Sequence, residues 1–330
     1  MHDIISVGSA TEDVFVGTRD MKLISVQDIN AEVAYIAFEH GAKVPVDDIF
    51  VATGGGATNS AAAFSRLGLQ AGIISKVGDD DAAERIIAKL QRENVDISGI
   101  VKTSDHSTGY SVILTCFTGD RTVLVHRGAS TQLAASDIDW EVLASARWIY
   151  LSSMAGDSAP LFEQVAVHAR DHNVKLALNP GGTQLQAGLE ALAPALDAAH
   201  VIFVNKAEAY SLAGVEPRRG HADELQALRT LHDTGCDIVV MTAGLEGAEA
   251  YDGQTHYTVP AVEVKKKSTL GAGDAFAAAC VAALFHGLDL REALRAGAIN
   301  AANVVRYLGA KRGLLTREAL ERQLADYRHS

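Results

Sequence analysis

A regular alternation of short apolar segments and helical segments, which begins after about residue 140, most constrains the fold of this chain. Each apolar segment has the composition of a buried strand, and the segments between them are long enough for helices. Strands that alternate with helices are joined by crossover connections and form a parallel sheet. We therefore predict an α/β fold with a doubly wound, mostly parallel sheet and helices on both faces. The four strands are expected at residues 148–151, 175–178, 201–204 and 238–241.

Two stretches nearer the N-terminal end have a different character. Residues 14–50 and 105–126 carry short β-like pieces and little sign of a long helix. The pair Gly119-Asp120, which lies between hydrophobic and β-branched residues, is a hairpin signal in the second stretch. We predict that the two stretches pair as one small β lid. The remaining residues are expected to form a large α/β domain that binds nucleotide and substrate: 1–13, 51–104 and 127–330.

The charge of the chain narrows its class of partner. Its 330 residues carry a formal net charge of −12, and an acidic surface repels the phosphate backbone of nucleic acids. The longest apolar stretch, residues 275–285, is too short to span a bilayer. The first residues lack the basic and apolar regions of a signal peptide. We therefore expect a cytoplasmic protein that binds neither nucleic acid nor membrane.

The turn Gly271-Ala272-Gly273-Asp274, which precedes an apolar helix, is the segment most informative about chemistry. Glycines allow a ligand to approach the backbone, and a helix start offers unpaired N–H groups and the positive end of the dipole. These features together form a cradle for an anion. Asp274 lies in the first turn, where a carboxylate can accept a proton from a hydroxyl nucleophile. The same pattern also suits an ordinary loop-to-helix junction in which Asp274 complements the dipole.

A second glycine-rich segment, Gly54-Gly55-Gly56-Ala57-Thr58-Asn59, also runs into a helix. Its small residues let a ligand approach the backbone, and Asn59 offers both a donor and an acceptor to hydroxyl groups. A glycine triplet before a helix is a weak signal by itself, because many such junctions bind nothing.

The two segments together resemble the two signature motifs of the ribokinase-like (PfkB) carbohydrate kinase family. The first signature is a Gly-Gly-x-x-x-Asn helix that closes with Arg66-Leu67-Gly68 and is followed by Val77-Gly78-Asp79-Asp80. The second is the Gly-Ala-Gly-Asp turn. Their order and separation agree with the family, and the resemblance extends over essentially the whole chain. It implies a kinase that transfers the γ-phosphoryl group of ATP to a hydroxyl of a sugar or sugar-like metabolite.

The resemblance also implies roles for the residues of the two motifs. Asp274 takes the place of the general base, and the turn formed by Gly271, Ala272 and Gly273 takes the place of the anion hole. An acidic residue in the turn after the first strand binds sugar hydroxyls in the family, and Asp13 matches it. The implied substrate-binding residues are Asp13, Gly54, Gly55, Gly56 and Asn59.

Two further matches concern the nucleotide. Asn205 and Glu208 match the Asn-x-x-Glu motif of the family, which acts through waters on the Mg²⁺ bound to the ATP phosphates. This is chemically sensible, because Mg²⁺ retains waters and needs few protein ligands. Thr242, Gly244 and Gly247 are similar to the Thr-x-Gly-x-x-Gly nucleotide turn of the family. Asn205 is therefore expected to bind both the nucleotide and, through water, the metal.

Several alternatives stay open at this point. A nucleoside kinase shares the fold and the catalytic turn, and the glycine-rich segment suits either substrate. A non-catalytic nucleotide or sugar sensor is disfavoured by the intact Asp274, Asn205 and Glu208. A dehydrogenase that uses NAD is disfavoured because the first strand leads into residues 8–13, which lack the Gly-x-Gly-x-x-Gly motif. A lid with an apolar face often pairs with its copy, so we expect a homodimer through the lid.

One departure from the family pattern concerns a monovalent cation. Many members have Asp-Thr ahead of the Gly-Ala-Gly-Asp turn, and that Asp helps to hold an activating cation beside the anion hole. Here Ser268, Thr269 and Leu270 precede Gly271. A neutral serine is a poorer ligand for a cation than a carboxylate.

We therefore predict that activation by K⁺ is weak or absent in this chain. Replacing K⁺ by a bulky organic cation in a phosphorylation assay is expected to leave the rate nearly unchanged. A large loss of rate after the replacement would contradict the prediction.

Overall fold

Strands and helices alternate along most of the chain, as the sequence pattern indicates. The computed structural model describes residues 1–27, 32–115, 121–216 and 221–329. The strands are β1 (Ile4–Val7), β2 (Thr11–Gly17), β3 (Lys22–Gln27), β4 (Glu32–Ala37), β5 (Asp48–Gly54), β6 (Ala71–Gly78), β7 (Asp96–Thr103), β8 (Gly109–Thr115), β9 (Arg121–His126), β10 (Trp148–Ser152), β11 (Lys175–Asn179), β12 (Val201–Asn205), β13 (Ile238–Thr242), β14 (Ala248–Tyr251) and β15 (His256–Val259). The α-helices are α1 (Gly56–Arg66), α2 (Asp81–Arg92), α3 (Trp140–Ala144), α4 (Leu161–Asp171), α5 (Gly182–Asp197), α6 (Lys206–Ala213), α7 (His221–His232), α8 (Ala272–Phe285), α9 (Leu290–Val304) and α10 (Arg317–His329).

The main sheet has nine strands in the order β15-β14-β13-β12-β11-β10-β1-β6-β7. It is parallel from β13 to β7, and β14 and β15 add an antiparallel edge. Strand β1 lies between β10 and β6, which both come later in the chain. The strand order therefore reverses at β1, and the sheet extends from it in both directions. Ligands of such sheets bind outside the carboxyl ends of the strands, where the strand order reverses. The predicted α/β fold is confirmed.

Two hydrophobic layers cover the faces of this sheet. One contains α1, α8, α9 and α10, and the other contains α4 to α7. Helix α8 is rich in alanine, and its residues from Ala275 to Ala283 are buried. A helix that is apolar on all sides belongs in the interior, and the small side chains let α8 lie close to both α1 and α9. The N-terminus of α8 is thereby fixed at the carboxyl edge of the sheet.

All four strands expected from the alternation are present as β10, β11, β12 and β13. The sequence pattern did not reveal β7, β14 or β15. Strand β7 lies at one edge of the sheet and has few fully buried side chains, so its apolar signal is weak. Strands β14 and β15 are four residues long each, and a run this short gives little periodicity.

The two β-rich stretches do contribute to a separate sheet, with strand order β5-β2-β8-β9. Strand β2 pairs in parallel with β8 and antiparallel with β5, so the stretches pair directly. Strands β3 and β4 form their own two-stranded ladder, which differs from the single sheet that we expected. Gly119-Asp120 lies outside the described residues. The division of the chain into two domains at the stated boundaries stays a prediction.

Apolar side chains on the small sheets are unusually exposed. Ile24 and Tyr35 on β3 and β4, Ile49 on β5 and Leu124 on β9 are each more than half exposed. A surface of this kind is typical of contact sites, and the expected homodimer through the lid stays a prediction. Within the described residues, no helix is both long and apolar enough to cross a membrane.

A buried ion pair fixes the loop between α9 and α10. Arg66, the last residue of α1, donates two hydrogen bonds to the carboxylate of Glu93, of 2.7 and 2.8 Å. The same guanidinium donates to the carbonyl oxygens of Lys311 and Leu314, each at 3.0 Å. Hydrogen bonds from Arg66 and Lys89 lower the pKa of Glu93 to about 2 against the opposing effect of burial. The loop that carries Lys311 is therefore held rigidly against α1 and α2.

Candidate active site

The turn before α8 has the backbone conformation that an anion cradle requires. Gly271 caps the helix with φ 77°, in the left-handed region that favours glycine. A Cβ atom on Gly271 would lie 2.3 Å from the Cβ of Ala310, whereas one on Gly273 would meet nothing within 4 Å. Gly271 is therefore required by packing and conformation, and Gly273 leaves open space at the helix start. The first N–H groups of a helix have no partner within the helix. That of Ala272 donates to the carbonyl oxygen of Thr269 at 3.3 Å, and those of Gly273 and Asp274 follow it in the first turn.

Asp274 is partly buried at the start of α8. Burial raises the pKa of its carboxyl, while a hydrogen bond from Asn59 and the charge of Lys311 act in the opposite direction. The Nδ2 of Asn59 donates to Oδ2 of Asp274 at 2.8 Å. The two glycine-rich segments, 215 residues apart in sequence, therefore meet through one side-chain hydrogen bond.

Asp13 lies in β2 rather than in a turn after β1, where we expected it. Its carboxylate lies directly against the backbone of Gly54: a Cβ on Gly54 would be 2.0 Å from Oδ2 of Asp13. Burial raises the pKa of Asp13, and the charge of Lys311 and hydrogen bonds from Ser111 and Thr11 oppose the increase. Because Asp13 lies on a strand of the lid, its carboxylate points into the cavity that lies between the lid and the main sheet.

A polar cavity lies between the lid and the carboxyl edge of the main sheet. Its floor contains Gly55, Gly56, Asn59, Gly271 and Asp274. Its roof is the inner face of the small sheet, where every second residue of β2, β8 and β9 points inward, as strand geometry requires. The roof residues are Thr11, Asp13, Ser111, Ile113, Val123 and Val125.

A second polar cavity brings Asn205 and Glu208 to the same turn. It is lined by both residues and by Gly271, Gly273 and Asp274. Asn205 and Glu208 also cap α6 reciprocally: the N–H of Glu208 donates to Oδ1 of Asn205 at 2.9 Å, and the N–H of Asn205 donates to Oε2 of Glu208 at 2.8 Å. The cap fixes both side chains at the end of β12. Burial raises the pKa of Glu208 against the hydrogen bonds from Asn205.

A third cavity is mostly apolar and lies on the other side of the turn. Thr242, Gly244 and Gly247 line it at the end of β13, and Ala272 and Gly273 line it at the start of α8. Helix α9 forms one wall through small residues, not through its asparagines. Asn300 and Asn303 instead donate hydrogen bonds to the carbonyl oxygens of Ala275 and Gly313, at 2.8 and 2.6 Å.

The three cavities meet at residues 271–274, which contribute to the lining of each. All the site residues expected from the sequence except Gly54 line at least one of these three cavities. Among the described residues, no group of three or more His, Cys, Asp and Glu side chains could hold a metal ion directly. A metal that is bound mainly by phosphate oxygens and waters fits the Asn205–Glu208 pair better than a direct protein site.

Two site residues, Lys311 and Arg127, were missed by reasoning from the sequence, and a third, Arg121, was left as equally suited to a solvated or a functional role. Lys311 is 5% exposed and reaches Asn59 from a loop that carries no motif. Arg127 follows β9 and lines the polar cavity under the lid. Arg121, whose role the sequence left undecided, donates a hydrogen bond from β9 to the hydroxyl of Thr269, immediately before the turn. A buried lysine gives no local signal, because its partners are distant in sequence.

Comparison with known proteins agrees with this geometry. The sequence profile described as pfkB family carbohydrate kinase matches residues 21–317. The chain belongs to this family. Its members are phosphotransferases that use an alcohol group as acceptor, and the chain is accordingly an ATP-dependent sugar kinase.

Individual relatives are moderately similar. An ATP-dependent ribose-1-phosphate kinase of Halopiger xanaduensis is 30% identical over 73% of this chain and 76% of its own length. A 5-dehydro-2-deoxygluconokinase of Bacillus subtilis is 26% identical over 81% of this chain and 85% of its own. A bifunctional ribokinase/ribose-5-phosphate isomerase A of Fructilactobacillus sanfranciscensis is 24% identical over 81% of this chain, which spans 48% of that protein.

Among solved structures, an Arabidopsis thaliana ribokinase complexed with ribose and ATP has the same fold. It superposes with a TM-score of 0.82 over 98% of both chains, at 22% identity. The large sheet with helices and the small separate sheet are therefore a ribokinase-like architecture.

The two glycines of the turn are expected to respond oppositely to alanine. Gly271→Ala forces a left-handed conformation and a clash with Ala310, and is expected to lower the free energy of unfolding by more than about 2 kcal/mol. Gly273→Ala places a methyl group in open space within a helix, and is expected to raise it by about 0.5–1 kcal/mol. Denaturant unfolding of both variants measures the difference. Equal destabilisation by the two substitutions would contradict the geometry of the turn.

Proposed function

We propose that this kinase transfers the γ-phosphoryl group of ATP to a hydroxyl of a small sugar that carries an anionic group, with Asp274 as the base. The observation that supports the reaction is the convergence of three cavities on residues 271–274. One cavity is polar and roofed by the lid, one is mostly apolar and suits a nucleoside, and one holds the Asn205–Glu208 pair. Acceptor, nucleotide and metal-bound phosphates therefore reach one turn from three sides.

Asp274 is suited to take the proton of the acceptor hydroxyl. A bond forms between that oxygen and the γ-phosphorus, the bond from the γ-phosphorus to the bridging oxygen breaks, and ADP leaves with the electron pair. The proton of the hydroxyl passes to the carboxylate of Asp274. Burial raises the pKa of this carboxyl, which increases its basicity toward a hydroxyl proton. The hydrogen bond from Asn59 fixes its orientation.

The N–H groups at the start of α8 would stabilise the transferred phosphoryl group. The N–H groups of Gly273 and Asp274 lie in the first turn of α8, beside the open space at Gly273, whereas the N–H of Ala272 donates to the carbonyl oxygen of Thr269 at 3.3 Å in this structure. Positioned N–H donors and the positive end of a helix dipole stabilise charge that develops on phosphoryl oxygens. Positioning and charge stabilisation supply most of the catalysis in phosphoryl transfer, because the protein has little covalent chemistry to perform.

Asn205 and Glu208 would hold Mg²⁺ through waters, and the metal supplies charge neutralisation between the phosphates of ATP. In their reciprocal cap, each side chain uses one oxygen for a backbone N–H. The remaining Glu208 oxygen and the second lone pair of the Asn205 Oδ1 are left to accept hydrogen bonds from the water ligands. The apolar cavity beyond Thr242, Gly244 and Gly247 would accept the adenine base.

The lid would exclude water from the acceptor site, since water otherwise competes as an acceptor. The roof formed by β2, β8 and β9 already lies over the cavity. Arg121 joins this roof to the loop before the turn through its hydrogen bond to Thr269. That contact links the position of the lid to the position of the anion hole.

Arg127 supports the assignment of an anionic acceptor. The polar cavity between the lid and the main sheet, where the acceptor would bind, is called the acceptor cavity. Arg127 is exposed, and it is the one cationic side chain among the described residues that line this cavity. Asp13 and Asp274 otherwise make that cavity acidic. A carboxylate or phosphate on the sugar would pair with Arg127 while the reacting hydroxyl faces Asp274. The names of two relatives, a ribose-1-phosphate kinase and a deoxygluconokinase, agree with such a substrate.

Asp274→Asn is expected to lower kcat by about 10²–10⁴-fold, the contribution of a general base, and to change ATP affinity little. Steady-state kinetics with a saturating acceptor and a direct ATP-binding measurement separate the two quantities. Unchanged unfolding of the variant in denaturant serves as the control for folding. A near-normal kcat would remove Asp274 from the role of base.

A panel of acceptors tests the substrate class. Sugar acids and sugar phosphates are expected to give a kcat/KM about tenfold to a hundredfold above that of matched neutral sugars, as a charged hydrogen bond would provide. Arg127→Met is expected to raise KM for the anionic acceptors and to leave the neutral sugars nearly unaffected, so the neutral sugars are the matched control. Preference for nucleosides would favour the nucleoside kinase, and absence of ATP turnover with every acceptor would favour a sensor.

A further inference from the structure

The ammonium group of Lys311 is enclosed beside the acceptor site without entering it. Its Nζ donates to the carbonyl oxygen of Thr53 at 2.7 Å, to Oγ1 of Thr58 at 2.9 Å and to Oδ1 of Asn59 at 2.6 Å. The backbone of the same residue is held by Arg66, which donates to its carbonyl oxygen. Lys311 is therefore fixed at both ends, by α1 and by β5.

The three contacts fit a charged lysine. An ammonium has three N–H donors and no acceptor, and each donor has one acceptor here. The hydroxyl of Thr58 gives its own proton to the carbonyl oxygen of Gly54 at 2.6 Å, so it offers a lone pair to Lys311. A neutral amine has two donors, and would leave one of these acceptors without a proton.

Lys311 determines how the amide of Asn59 is turned. Because the ammonium can only donate, the oxygen of the amide must face it, and the NH₂ group must face the other way. That direction is the carboxylate of Asp274, to which Nδ2 donates at 2.8 Å. With the amide reversed, its oxygen would face the ionised carboxylate, which repels it.

We infer that Lys311 is a positioning residue, which acts through the amide of Asn59 to keep Asp274 ionised and oriented as the base. The inference rests on the proposed role of Asp274. It adds a third member to the site, in the chain Lys311–Asn59–Asp274, that touches neither the acceptor nor the nucleotide. Among the described residues, those that line the acceptor cavity do not include Lys311, which agrees with an indirect role.

Several charged groups from other elements face Lys311. Burial lowers its pKa to about 7, while Asp13, Asp274 and Glu93 raise it and Lys89 lowers it. For Asp274, the groups that face it are Lys311 and Asp13, with opposite effects on its pKa. The buried hydroxyl of Tyr150 also lies close enough for its own pKa to be raised by Asp274.

The sign of the pH dependence follows from these charges. As pH rises, kcat/KM increases when Asp274 loses its proton and then falls when Lys311 loses its own. Removing the positive charge of Lys311 takes away an influence that lowers the pKa of Asp274. The rising part of the plot of kcat/KM against pH, the acid limb, must then move to higher pH, whereas the falling part is the alkaline limb. An arginine in this place would keep the charge at every accessible pH and would abolish the alkaline limb.

The experiment compares pH profiles of kcat/KM for the wild type, Lys311→Met and Lys311→Arg. For Lys311→Met we expect the acid limb to move up by about 1–3 pH units, the size of shift that a nearby opposite charge imposes. Its kcat at pH 7 is expected to fall at least tenfold with little change in KM for ATP. For Lys311→Arg we expect an acid limb near that of the wild type and no alkaline limb.

Lys102→Met is the control for loss of one lysine, because Lys102 lies on β7 at the surface and pairs with Glu84. An unmoved acid limb in Lys311→Met overturns the inference, even where kcat falls, because a structural role alone lowers kcat. If neither Lys311 variant folds, Thr58→Val takes one acceptor from the ammonium and is expected to move the alkaline limb to lower pH. An unmoved alkaline limb then overturns it.

The two proposals fail in different ways. A near-normal kcat for Asp274→Asn removes the base itself. An inactive Asp274→Asn together with an unmoved acid limb in Lys311→Met preserves the base and removes Lys311 from the site.

Discussion

Two carboxylates, one buried and one partly buried, lie at one edge of the sheet, and their placement is the constraint on which the rest of the site depends. Asp13 and Asp274 both lie in a region where burial raises their pKa values. A buried charge without a partner is expensive, and two like charges close together are more so. The chain meets this cost with one buried cation, Lys311, and one amide, Asn59. A site that needs an ionised base away from water therefore requires a positive group nearby, whether or not that group touches the substrate.

The same constraint explains why the site is built on such rigid elements. Asn59 lies on α1 and Asp274 on α8, two helices that share one hydrophobic layer beneath the sheet. Lys311 comes from a loop, but Arg66 and Glu93 fix that loop to α1 and α2. A hydrogen bond of 2.8 Å between Asn59 and Asp274 is lost if either helix shifts by about an ångström. The alanine-rich core of α8 thus serves the geometry of the site as well as the stability of the fold.

Much of this arrangement could be predicted from the sequence, and the limits have physical causes. The alternation of strands and helices predicted the sheet, because buried parallel strands leave continuous apolar runs. Gly271, Asp274, Gly54 and Asn59 could be proposed as site residues because glycine before a helix is a local pattern. Asp13 was placed in a turn, because a single acidic residue says nothing about the strand that carries it. Lys311 was missed because its hydrogen-bond partners lie more than 250 residues away in the sequence.

The charge of the whole chain bears on one class of partner and not on another. A net charge of −12 disfavours long anionic polymers, since such partners experience the summed field of the surface. It says little about a small anion, which experiences its immediate neighbours within roughly 10 Å at moderate ionic strength. In this site, the neighbours are the start of α8, Arg127 at the cavity and Arg121 at the lid. An acidic protein can therefore hold triphosphate and an anionic sugar together, provided that its few cations are placed where the negative groups meet.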